Sequence, residues 1–204
     1  MENFVQNGLK LLKLNVHQEQ IEKLLIYLQA LKKWNKVFNL TAIFSDKDIV
    51  IKHFFDSLTV NEHIKDATKI LDVGTGAGFP GLVLAIFNPD KKFILVDGVS
   101  KKITFINEIK GRLKLKNVTT YHSRIENLKM DESVDLVISR AFADIQKMMT
   151  LTKHLLKEKG KYLAMKGPDY LNEINNIKGN SEIHDLTVPY FDGVRKLIEI
   201  TKYD

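Results

Sequence analysis

A chain of 204 residues without a cysteine, 44% hydrophobic and 27% charged, can bury a core unaided and excludes disulfides, thiolate zinc sites and a cysteine nucleophile. Its 31 Lys and Arg against 25 Asp and Glu give a net charge of +6, which suits a polyanionic partner as well as it suits a solvated, lysine-rich surface. No signal-like apolar run opens the chain and no stretch approaches the ~18 apolar residues of a membrane span, so a cytoplasmic monomer with neither membrane nor metal partner is expected.

The first elements are helical. Apolar residues at Phe4, Leu9, Leu11, Leu12 and Leu14 suggest a short helix. Ile21, Leu24, Leu25, Leu28, Leu31 and Trp34 fall on one face of a longer one over Gln18–Trp34. A third is expected over Asp48–Val60, with His53 and Asp56 on one face. Residues 1–65 therefore read as an N-terminal helical subdomain, and 66–204 as the domain that carries it, with no linker between them.

From Thr68 the pattern alternates. The run "KILDVG" reads as a buried strand and "GLVLAIFN" as a helix halted before Pro89. "FILVD" is a second strand, "KKITFINEIKGRLKL" a helix, "VTTYHS" a third strand and "VDLVISR" a fourth. "IQKMMTLTKHLLKEKG" reads as a helix stopped by Gly160, and "KYLAMKG" as a fifth strand. "SEIHDLTVPY" and "VRKLIEITK" suggest a final hairpin at the sheet edge. Strands alternating with helices of this length predict an α/β, Rossmann-like fold with a mostly parallel seven-stranded sheet.

The richest segment is "LDVGTGAGFPG", Leu71 to Gly81, directly after the first strand. Glycines let the chain turn sharply and let a ligand approach the backbone. An acid followed by G-x-G-x-G, as in Asp72 to Gly78, suits S-adenosylmethionine (AdoMet). Gly76, Gly78 and Gly81 can also be read as the G-x-G-x-x-G of a dinucleotide site. Asp97, ending the second strand, can accept hydrogen bonds from ribose hydroxyls of either ligand. On these residues alone, a methyltransferase, an NAD(P)-dependent oxidoreductase and a catalytically silent RNA-binding module all stand. The oxidoreductase lacks an evident Tyr-Lys or His catalytic pair.

"DVGTGAGFPG" together with "NLTAI" (Asn39 to Ile43), "HFFDSL" (His53 to Leu58), "SRAF" (Ser139 to Phe142) and "AMKG" (Ala164 to Gly167) closely resembles the glucose-inhibited division protein B family, the bacterial 16S rRNA guanine N-7 methyltransferases. The resemblance runs in order from about Trp34 to Gly167. It implies a class I methyltransferase fold, AdoMet as cofactor, and 16S rRNA or the small ribosomal subunit as partner. It implies cofactor contacts at Gly74, Phe79, Asp97, Gly98, Val99, Ile125, Glu126 and Arg140. The family usually has serine where Gly98 stands and Lys-Arg where Lys101–Lys102 stand. Several relatives end in a basic, proline-containing tail that is not matched up to Asp204, so tail-mediated RNA contact is not expected.

The chemistry agrees with what is missing. Attack from pyrimidine carbon-5 needs a cysteine, and exocyclic-amine methylases carry an Asn/Asp-Pro-Pro-aromatic motif where this chain has "SRAF". Guanine N-7 offers a lone pair and has no proton to remove, so no general base is required. Arg140 is expected at the cofactor carboxylate or the target nucleotide, against the alternative of a structural salt bridge. Lys166 is weighed as an RNA phosphate contact against a solvated strand end. His53 is weighed as a cleft-border residue against a core histidine, and Phe79 as a ligand cover against a helix-start packing residue.

Overall fold

The computed structural model describes residues 1–174, 177 and 180–201; Lys202 and Asp204, reached by the tail expectations, lie outside these. Helix α1 (Glu2–Leu11) buries Val5, Gly8 and Leu9. Helix α2 (Gln18–Phe38) buries the expected stripe, Ile21, Leu24, Leu28 and Leu31, together with Tyr27. It opens with a capping box, in which the His17 N–H donates to Gln20 Oε1 at 2.9 Å. It ends on Asn39 in the left-handed region, at φ 49°. The third helical segment is composite. Helix α3 (Asp46–Ile49), capped by Ser45 Oγ, runs into a π-helical turn (Val50–Phe55) and α4 (Asp56–Leu58). A π turn is a frequent mark of a functional site, and here it carries His53 to the cleft described below. A 3₁₀ turn, Asn61–Ile64, leads to the sheet.

The alternating region forms β1 (Lys69–Val73), α5 (Gly81–Phe87), β2 (Lys92–Asp97), α6 (Ser100–Arg112), β3 (Val118–His122), a 3₁₀ turn (Ile125–Asn127), β4 (Val134–Arg140), α7 (Ile145–Thr152) and β5 (Leu156–Lys166). Then follow α8 (Leu171–Ile174), β6 (Ser181–Asp185) and β7 (Lys196–Thr201). The seven strands are ordered β3-β2-β1-β4-β5-β7-β6. The first five are mutually parallel, while β7 runs antiparallel to both β5 and β6. The expected terminal hairpin therefore forms the sheet edge.

One expected boundary is corrected. The helix predicted to reach Gly160 ends at Thr152, and β5 begins at Leu156, which pairs with Val134. Leu151 and Leu155 are spaced for a helix, but Leu155 and Leu156 are buried at the sheet instead. A Cβ at Gly160 would lie 2.5 Å from Leu156 Cγ, so glycine here admits a strand irregularity and does not stop a helix.

The sheet is buried on both faces. Ile70, Leu136 and Ile138 face α1, α2, α5 and α6 in one apolar cluster that also takes in Val5, Leu28 and Phe54. Leu71, Val73, Val137 and Tyr162 face Ile145 and Met148 of α7 in the other. Strand order reverses at β1, whose neighbours are β2 and β4. Such a switch point opens a crevice at the carboxyl ends of the strands, where ligands bind in open α/β sheets.

Candidate active site

The glycine-rich loop leaves β1 into that crevice. Gly74, Gly76 and Gly78 adopt φ of 66°, 62° and 101°, which is inexpensive for glycine alone. The Gly74 and Thr75 N–H groups donate to the Val96 carbonyl at 2.9 and 3.1 Å, tying the loop to β2. A Cβ on Gly74 would lie 2.4 Å from Phe142 Cδ2, so the ring of the loop after β4 rests directly on the turn.

Two carboxylates hold the loop, in different electrostatic settings. Asp97 ends β2, and its Oδ2 accepts from the Gly76 N–H at 3.0 Å while Oδ1 accepts from the Val99 N–H at 2.9 Å. A carboxylate has about four acceptor directions, so capacity remains for a ligand hydroxyl beside a third, longer donor. Lys102 Nζ lies 3.5 Å away. Asp72, one residue before the end of β1, is fully buried; its Oδ2 accepts from Thr75 Oγ1 at 2.7 Å and from the Gly81 N–H at 2.8 Å, at the start of α5. Its Oδ1 meets no hydrogen-bond partner among the described residues. Burial therefore pushes the Asp72 carboxyl up to about 6, against the lowering effect of those two bonds.

The other positions named from the sequence fall around this loop. Gly98 follows Asp97 with open space, a Cβ there meeting nothing closer than Arg124 Cγ at 3.8 Å. The usual serine would therefore fit without a clash. Val99 is half exposed, Ile125 is buried, and Glu126 stands exposed on the turn after β3. Phe79 turns its ring into the core, stacked on His53 at 4.4 Å and on Tyr27 at 5.4 Å between ring centres. Its side chain is thus a helix-start packing residue. Tyr27, which the sequence reading did not single out, donates its hydroxyl to the Ala77 carbonyl and so fixes the loop from α2.

Arg140 ends β4 in a half-buried network. Its NH1 donates to Asp56 Oδ2 at 2.8 Å and to the Lys52 carbonyl at 2.9 Å, and its NH2 donates to His53 Nδ1 at 3.0 Å. A guanidinium only donates, so His53 Nδ1 is the acceptor nitrogen and the proton sits on Nε2, facing Thr41 Oγ1 at 2.8 Å. Burial, with Arg140 beside it, pushes the imidazole down to about 3, so His53 is neutral at physiological pH. Asp56 is buried between two arginines, its Oδ1 accepting from Arg195 Nε at 3.0 Å. The core-histidine and salt-bridge readings of His53 and Arg140 thus hold, and both residues also line the cleft. Arg195 had no local motif to reveal it; its rarity, as one of four arginines, was the available signal.

A cavity of about 660 Å³ opens at the carboxyl ends of β4 and β5, lined among others by Lys52, His53, Arg140, Phe142, Tyr170 and Arg195. Lys166 lines it too, but it is neither solvated nor free for a phosphate. Its Nζ contacts Glu173 Oε2 at 2.7 Å and the Ala143 carbonyl at 2.8 Å. A loop suited to a small ligand thus adjoins a wider cleft, in whose lining Lys52, Arg140, Lys166 and Arg195 stand beside Asp56, Asp169 and Glu173.

Comparison with known proteins bears on this arrangement. The family model described as rRNA small subunit methyltransferase G matches residues 20–198. The ribosomal RNA small subunit methyltransferase G of Francisella philomiragia is 44% identical over 204 residues, covering 99% of this chain and 98% of that one. That of Vibrio vulnificus is 42% identical, covering 94% and 92%. Among solved structures, an rRNA methylase from Streptococcus thermophilus aligns with a TM-score of 0.53 at 15% identity, over 72% of this chain and 94% of that one. A SAM dependent methyltransferase from Aquifex aeolicus aligns at 0.57 and 19% identity, over 76% and 92%. At such identities the structural likeness carries the fold alone, a class I methyltransferase fold.

Proposed function

The chain belongs to the rRNA small subunit methyltransferase G family, and from that premise we propose that it moves a methyl group from AdoMet to N-7 of a guanine in 16S rRNA. The observation that carries this reading is the juxtaposition of the Asp97-braced glycine loop with the cleft at the ends of β4 and β5. The residues fit the cofactor: Gly76 leaves its backbone open, Gly74 makes the turn beneath the Phe142 ring, Asp97 retains acceptor capacity for ribose hydroxyls, and Gly98 leaves space beside it. Val99, Ile125 and Glu126 would border the adenine side, and Arg140 the methionine side next to the substrate. Phe79 would contribute through its place in the loop, its ring supporting His53 and Arg140 from behind. The nicotinamide alternative has no support in the family.

AdoMet supplies an electrophilic methyl group. The protein's task is then alignment: to hold an acceptor nitrogen in line at near-contact distance and to exclude water. Guanine N-7 needs no proton removed, which accords with a site whose imidazole is neutral and fully engaged between Arg140 and Thr41. Lys52 and Arg195 stand at the rim, where they would meet RNA phosphates. The intact ribosomal subunit or its rRNA is the partner proposed; among the described residues no helix is long and apolar enough to cross a membrane. The protein is proposed to act as a cytoplasmic monomer.

The test is methyl transfer from labelled AdoMet to small subunits lacking the modification, followed by reduction and aniline cleavage, which cut at N-7-methylated guanine. One new stop in primer extension is expected. Asp97→Ala should weaken AdoMet binding several-fold to hundreds-fold, since a hydrogen bond to a charged group contributes about 1.5–3 kcal/mol. Transfer that gives no aniline-sensitive guanine overturns the N-7 assignment, and unchanged affinity in Asp97→Ala overturns the ribose role.

A further inference from the structure

Away from the cleft, three metal-ligating side chains converge at the far edge of the sheet. His63 lies on the 3₁₀ turn before β1, His184 on β6 and Glu199 on β7. His63 Nδ1 and His184 Nε2 each stand 3.5 Å from Glu199 Oε2, and the three donor atoms lie within 4.8 Å of one another. We propose that His63, His184 and Glu199 form a binding site for a divalent transition metal of the zinc class, which staples the turn before β1 to the β6–β7 hairpin.

The distances suit a metal better than a hydrogen-bonded cluster. Both 3.5 Å separations exceed the usual 2.7–3.2 Å of an N–H···O bond. A tetrahedral ion with bonds of about 2.0–2.2 Å holds its ligands roughly 3.3–3.6 Å apart. His184 Nε2 is buried from solvent and has no hydrogen-bond partner among the described residues, a costly state for a ring nitrogen unless something coordinates it. The two imidazole rings tilt toward each other with centres 4.6 Å apart.

The surroundings orient the third ligand. Lys161 Nζ binds Glu199 Oε1 at 2.6 Å, which leaves Oε2 turned to the histidine pair. Glu182 sits directly across from Glu199 in the β6–β7 register, and its Oε2 is 3.8 Å from His184 Nε2. Like charges opposite one another destabilise a strand pair unless a cation lies between them. The exposed Glu182 side chain lies within reach of the fourth position, which is otherwise open to water. An imidazole and carboxylate set of this kind favours zinc or nickel over calcium or magnesium, and it needs no cysteine.

The experiment is calorimetric titration of the untagged, chelator-treated full chain with zinc chloride, beside His184→Gln, Glu199→Gln and His154→Gln. His154 contacts the Leu128 carbonyl on another part of the surface and serves as the control. One equivalent of zinc is expected in the wild type and in His154→Gln, with affinity falling at least tenfold in His184→Gln and Glu199→Gln. Zinc should also raise the wild-type Tm, because an ion bound only by the folded state stabilises it by mass action, and this rise should vanish in His184→Gln. AdoMet binding, measured in the same samples, shows that the variants are folded. Absence of a zinc heat in the wild type overturns the proposal. So does unchanged stoichiometry and affinity in both ligand variants, or a Tm that zinc leaves alone or lowers.

Discussion

Two buried ionisable residues, one beneath the glycine-rich loop and one lining the cleft, act on stability in opposite directions. Asp72 is pushed up to about 6 in the folded protein from an ordinary 3.8. Between these values the folded state binds more protons than the unfolded one, so the Asp72 contribution falls as pH rises through that window; the raise is on the order of 3 kcal/mol. His53 is pushed down to about 3 from 6.5. There the unfolded state binds more protons, so the His53 contribution is present above about 6.5 and is lost as pH falls. The wild-type profile between pH 4 and 6 is therefore a partial cancellation, which single variants separate. Measured by urea denaturation, Asp72→Asn should gain stability relative to wild type as pH rises from 4 to 7, and His53→Gln should gain relative to wild type as pH falls from 7 to 4. Two difference curves of the same sign would refute the assigned protonation states.

At the scale of elements, the N-terminal helices are bound to the active site through close contacts. Gly8 of α1 faces the Phe55 ring of the π turn, where a Cβ would lie 2.1 Å from Phe55 Cζ. Gly8→Ala sets two effects against each other. Alanine in a helix interior gains about 0.8–1.0 kcal/mol over glycine, whereas forcing a methyl into a packed core costs typically 1–3 kcal/mol. The clash wins, so we expect a net loss of about 0–2 kcal/mol in denaturant unfolding, with Phe55, and the turn carrying His53, displaced enough to weaken AdoMet binding. A more stable variant would show that α1 is only loosely docked. The same comparison explains what the sequence could reveal. The helix stripes, the five parallel strands and the terminal hairpin were legible because burial imposes a helical period on Ile21–Leu31 and a short buried run on "KILDV". The end of α7 was not, because Leu151 and Leu155 keep helical spacing while strand pairing of Leu156 with Val134 decides the outcome. Of the candidate site, the Gly74–Gly78 loop and Asp97 were legible because their local backbone demands leave a motif. The Asp56–Arg140–Arg195 cluster joins residues from three distant segments and leaves none, and the ring of Phe79 was buried by partners, Tyr27 and His53, that no spacing could name.

At the scale of the whole molecule, the net charge of +6 poses a question that the cleft helps to answer. A diffuse excess of lysines would attract any polyanion, whereas a site reading one guanine needs cations placed at its rim. Screening separates these cases, because at physiological ionic strength charges beyond a Debye length of about 8 Å are largely ineffective. Lys52 and Arg195 line the cleft, and Lys52 is only loosely held, 3.0 Å from an exposed Asp48. Lys10, on the last turn of α1, is exposed and does not line that cleft. If RNA enters along the rim, affinity for an rRNA fragment should fall with salt, with a log–log slope of about −0.7 for each phosphate contacted on a single strand. Lys52→Ala should then make that slope shallower by roughly one contact and weaken RNA binding, while AdoMet affinity stays within twofold. Lys10→Ala should leave both slope and affinity unchanged. Fluorescence anisotropy over a series of salt concentrations measures all three. Equal effects of the two lysine variants would mean that the positive charge acts as a general field, and the cleft rim would lose its role in placing the RNA.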